Sequence, residues 1–97
     1  MKEIDDQDIA NIAVEIAMFL SWYRETNSSE FPGHLISIII EAVFERENYN
    51  FTKVHVDAVQ LTLVPPPPED QVKRFRLNTN FNGNDFLASI DASNLSK

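Results

Sequence analysis

Few side chains in this sequence combine the type and spacing that chemistry needs. His55 and Asp57 stand two positions apart. On a strand they share a face, where a carboxylate can orient an imidazole or the pair can contribute to a metal site. Two ligands without a third nearby read more simply as a solvated strand face. Glu30, His34, Ser37, Glu41, Glu45 and Asn48 follow one another at intervals of three or four. That spacing lines them along one edge of a helix. Di-metal bundles use Glu-x-x-His, whereas the pair here is Glu30-x-x-x-His34, so the stripe reads as an exposed polar edge.

The other reaction types fare no better. Paired carboxylates in acid–base work need a cleft that separates their pKa values, and so small a domain leaves little room for one. Gly33 and Gly83 are the only glycines, which excludes a glycine-rich phosphate cradle and a Gly-x-Ser-x-Gly elbow. The chain has no cysteine, which excludes disulfides, thiolate metal sites and thiol catalysis. The sequence therefore reads as non-enzymatic, with no cofactor and no metal. A small enzyme or metal protein using His55, Asp57 or the Glu30–Glu45 helix stripe is the weakest of the readings.

Charge is the more informative feature. The net charge is −7, and it is uneven. Residues 1–50 hold ten acids (Glu3, Asp5, Asp6, Asp8, Glu15, Glu25, Glu30, Glu41, Glu45 and Glu47) against three bases, Lys2, Arg24 and Arg46. Residues 51–97 hold five of each. Such a surplus keeps a protein soluble, and it can also steer a basic partner. The one basic cluster, Lys73-Arg74-Arg76, is too small to overcome the repulsion of a nucleic acid.

The elements that position these residues follow from periodicity. Ile9, Ile12, Ala13, Ile16, Leu20 and Tyr23 recur at helical spacing, which predicts a helix over 6–25 with Asp5 or Asp6 as its cap. A second helix is expected over 31–48, capped by Ser28 or Ser29, with one thin polar edge and otherwise packed. Residues 51–64 read as a strand: Val54, Val56 and Ala58 alternate, then Val59, Leu61 and Leu63 alternate out of phase. A β-bulge near Asp57–Val59 reconciles the two sets. Residues 65–71, with Pro65 to Pro68, form a stiff polyproline connector. A second strand spans 72–81, with Phe75, Leu77, Thr79 and Phe81 inward. Asn82-Gly83 signals a type I′ turn. Residues 84–90 are a third strand or a short helix, with the strand preferred, and 91–97 are a polar tail.

The expected fold is thus one α+β domain of 97 residues. Two N-terminal helices pack on a small two- or three-stranded antiparallel sheet. No apolar run approaches the roughly 18 residues of a membrane span. The start Met1-Lys2-Glu3-Ile4-Asp5-Asp6 is unlike a signal peptide, and a cytoplasmic location is expected. The leading functional reading is an acidic protein-binding module: an inhibitor, immunity or anti-defence protein that sets its helices against a basic protein surface. Its binding residues are taken as Asp5, Asp6, Asp8, Glu15, Trp22, Glu41 and Glu45, with Trp22 as an aromatic anchor. The alternative is a self-assembling structural or accessory subunit.

Overall fold

Asp5 starts the longest helix through a reciprocal capping box. Its carboxylate accepts from the Asp8 amide at 2.9 Å, and the Asp8 carboxylate accepts from the Asp5 amide at 3.0 Å. Two of the unpaired donors at the helix start are satisfied in this way. The helix, α1, spans Asp6–Asn27 in a computed structural model that describes residues 1–90. Ser28 ends it in the left-handed region, with φ 56°. The predicted 91–97 tail lies outside the described residues.

Among the described residues four more α-helices follow: α2 (Ile36–Arg46, preceded by a 3-10 turn at Gly33–Leu35), α3 (Lys53–Thr62), α4 (Glu69–Thr79) and α5 (Gly83–Ser89). All but the short turn pack directly on α1. Ile12, Ile16 and Phe19 of α1, Ile39, Ile40, Val43 and Phe44 of α2, and Val56 and Val59 of α3 form the buried centre. Burying each such side chain contributes roughly 1.5–3 kcal/mol.

The α+β expectation is overturned: no sheet forms among the described residues. The one β-type contact there is an isolated parallel bridge between Lys2 and Tyr49. Residues 51–64 are helical, not a bulged strand. Val56, Val59 and Leu63 are buried while Val54 and Leu61 point outward. The switch from even to odd positions was therefore a period of 3.6, not of 2. Thr52 caps this helix, its backbone N–H donating to His55 Nδ1 at 3.0 Å. His55 and Asp57 consequently do not share a strand face.

The 72–81 strand is also replaced by helix. Pro68 with Glu69 and Asp70 is a helix start, acidic in its first turn, and Asn80 ends the helix in the left-handed region at φ 55°. The connector is accordingly shorter than 65–71. Arg76 is buried instead of facing solvent. The Asn82-Gly83 type I′ turn is absent too. The Asn82 side chain accepts from the Asn84 and Asp85 amides at 2.8 and 3.2 Å, which makes it the cap of α5. The preferred third strand over 84–90 is this helix. Neither Ser28 nor Ser29 caps the second helix, because Ser28 terminates α1.

Candidate functional site

The acidic residues are organised by a contact the sequence did not reveal. Lys2 pairs alongside the chain that leaves α2: its N–H donates to the Asn48 carbonyl at 3.0 Å, and the Asn50 N–H donates to the Lys2 carbonyl at 2.7 Å. The Tyr49 hydroxyl donates to Asp8 at 2.9 Å, and Asn50 Nδ2 donates to Glu3 at 3.2 Å. The start of α1 is thereby stapled to the exit of α2. Glu3, Asp5, Asp8 and Glu47 are thereby gathered around Tyr49 and Asn50.

This staple has an electrostatic signature. The Asp5 backbone N–H, and then the Tyr49 hydroxyl, hold the Asp8 carboxyl below its ordinary pKa. The hydrogen bond to Asp8, with burial second, pushes the Tyr49 phenol above its ordinary value. The signs give a pH profile. A lowered carboxyl contributes stability above its unfolded pKa of about 3.9, and that contribution is lost as pH falls through the folded value. A raised phenol contributes below about pH 10 and loses its contribution as pH rises through the folded value. Thermal unfolding followed across pH should show both limbs. Asp8→Asn should flatten the acid limb and Tyr49→Phe the alkaline one; unchanged limbs would show that the staple does not hold in solution.

Some of the surplus charge is neutralised within the fold. Arg46 binds Glu15 at 2.8 Å and Glu47 at 3.0 Å. It also donates to the Ser89 hydroxyl at 2.9 Å, tying α1, α2 and α5 together. Arg76 binds Glu25 at 2.7 Å, with Lys73 on the same carboxylate at 3.6 Å. Of the ten acids in residues 1–50, Glu15, Glu25 and Glu47 are thus paired. The other seven have no ion-pair partner among the described residues.

The designated residues therefore separate into groups. Asp5 and Asp8 build the helix cap, and Glu15 is held by Arg46. Trp22 is half-buried, stacked on Phe19 with ring centroids 5.9 Å apart and set against Gly83. Asp6, Glu41 and Glu45 are exposed and carry no structural task among the described residues.

Sequence reasoning did not anticipate an open apolar groove of about 560 Å³. Its floor is one face of α1, formed by Ala10, Ala13, Val14 and Ala17. Leu63, Pro65 and Pro67 form one wall, and Val72 and Phe75 of α4 form the other. Arg74 supplies the charge. Among the described arginines it alone has no carboxylate partner, since Arg24, Arg46 and Arg76 are all paired. The sequence signal was Ala10, Val14, Ala17 and Met18, which widen the apolar stripe of α1 beyond one face; the structure buries Met18 and leaves Ala10 and Val14 exposed.

No three His, Cys, Asp or Glu side chains among the described residues converge as metal ligands. None of the described helices is long and apolar enough to cross a membrane. Together the fold and site define, among the described residues, a domain of five α-helices with an acidic cluster around Tyr49 and an apolar groove. Comparison with protein families, with curated proteins and with solved structures finds no match to the chain.

Proposed function

We propose that this protein is a non-enzymatic binding module whose acidic surface docks on a basic surface of another protein, in the manner of an inhibitor, immunity or anti-defence protein. The carrying observation is the set of seven carboxylates in residues 1–50 left without ion-pair partners among the described residues. Asp6, Glu41 and Glu45 are exposed members of this set that carry no structural task among the described residues. Two of them sit where stability alone would not put them. Glu41 and Glu45 are like charges one turn apart, which weakens a helix by a few tenths of a kcal/mol. Glu45 also lies in the last turn of α2, where the helix dipole disfavours an anion. A basic partner reverses both penalties. Lys73 and Arg76 are committed to Glu25, which argues against nucleic acid as the partner. A cysteine-free chain suits a reducing compartment, and we place the protein in the cytoplasm.

Long-range steering by a surplus of this kind falls steeply with ionic strength. Affinity capture at about 50 mM and about 300 mM salt tests it, because the Debye length roughly halves across that interval. The native protein should retain a basic partner at low salt and release it at high salt. The triple variant Asp6→Asn, Glu41→Gln, Glu45→Gln should lose it at both. Retention that ignores salt, or survives in the triple variant, rejects the proposal. A self-assembling subunit is the second reading, favoured by Val54, Leu61 and Leu77, which are about two-thirds exposed or more.

A further inference from the structure

We infer that the groove over α1 receives the outer face of α3 from a second copy of this chain, so that copies join head to tail. The occupant is visible on the molecule itself. Val54 and Leu61 are each 73% exposed and lie two turns apart on α3, with Ala58 between them. That i, i+4, i+7 set is the pattern by which an amphipathic helix enters an apolar groove. The two partners match in length: Val54 to Leu61 and Ala10 to Ala17 each rise about 10 Å. They match in relief, because the small, accessible Ala10 and Ala17 let a helix approach closely while Val14 and Phe75 remain 42% and 46% exposed beside them.

They also match in charge. Asp57 flanks the exposed face of α3, and Arg74 of the groove lacks a carboxylate among the described residues. The present partner of Asp57 is Lys53, four residues away on the surface at 3.1 Å. Exposed pairs of that kind are weak and exchange readily. Val56, Val59 and Leu63 turn the inner face of α3 to the core, so its outer face cannot reach the groove of its own chain. The contact joins two different surfaces, and it is therefore heterologous and extends from copy to copy. This inference does not rest on the acidic-surface reading, and salt separates the two. Docking on a basic partner weakens with salt, whereas copies that each carry −7 associate more strongly as salt screens their repulsion.

Sedimentation analysis of the full chain up to about 1 mM tests it, a range that reaches weak contacts. The average mass should rise with concentration and with salt. Leu61→Asp spoils the α3 face and Val14→Arg spoils the groove, both at exposed positions. Each variant alone should remain monomeric. An equimolar mixture should form a heterodimer that grows no further, because each variant keeps the surface the other lacks. Arg74→Glu or Asp57→Arg alone should weaken association by at least about tenfold, and the two together should restore it. A native chain that stays monomeric throughout overturns the inference. So does a variant mixture without heterodimer, or a dimer that survives both Leu61→Asp and Val14→Arg.

Discussion

Replacing Gly83 by alanine should destabilise the protein by about 3 kcal/mol, at the upper end of what overpacking usually costs. Gly83 is the first residue of α5 and is buried. A Cβ there would overlap the Trp22 ring, so the two helices could not keep their present separation. The midpoint of thermal unfolding should fall by about 15 °C. Gly33 provides the control, since nothing lies within 4 Å of the place its Cβ would take. Gly33→Ala should be neutral or slightly stabilising. Combining Gly83→Ala with Trp22→Leu makes room for the methyl and should recover at least about 1 kcal/mol of the loss, the coupling expected of residues in contact. Equal effects at the two glycines, or strict additivity with Trp22→Leu, would show that α5 does not dock as described. The same experiment bears on Trp22 as a partner anchor, because a ring committed to Gly83 and Phe19 has less surface to offer.

Phe19→Ala should have the largest effect of all, about 4 kcal/mol. The ring is fully buried. It packs on Trp22, Phe31 and Phe86 with centroid separations of 5.9, 5.3 and 4.9 Å. Truncation removes its buried area and leaves a cavity bounded by three elements that cannot all collapse inward. A domain of this size has roughly 5–15 kcal/mol in total, so the variant should be partly unfolded at modest urea concentration, with loss of the near-ultraviolet signal of Trp22. Phe75→Ala is the informative comparison. That ring is nearly half exposed in the groove, and its removal should cost less than about 1 kcal/mol. A small stability effect at Phe75 together with lost self-association would separate a binding residue from a core residue.

Residues 1–50 were largely legible as sequence because there the local and the global signals agree. The apolar positions of α1 recur at a helical period, Asp5 stands where a cap belongs, and the charge surplus is a matter of counting. Residues 51–90 misled because two local signals pulled toward strand: β-branched residues in α3, and an accidental alternation of apolar with polar residues in α4. β-propensity mostly records fit to a half-buried surface, and context overrides it. In α3 the out-of-phase alternation was already a helical pattern, and it brings Val56, Val59 and Leu63 onto the core while Val54 and Leu61 stay outside. In α4 the buried Arg76 was invisible, since a guanidinium enters an interior only when a carboxylate awaits it, and Glu25 lies 51 positions away in the chain.

Composition and periodicity by themselves determined the acidic character, the absence of thiol and glycine-loop chemistry, and the two helices whose apolar stripes make the centre of the core. Tertiary structure alone decided which charges stay unpaired among the described residues, that Lys2 staples the start of α1 to the exit of α2, and that Ala10 and Val14 of α1 stay exposed in the groove beside Phe75. The physical reason is the same in each case. Local preference is written in neighbouring residues, whereas ion pairing and groove formation depend on which distant surfaces meet, and packing chooses those.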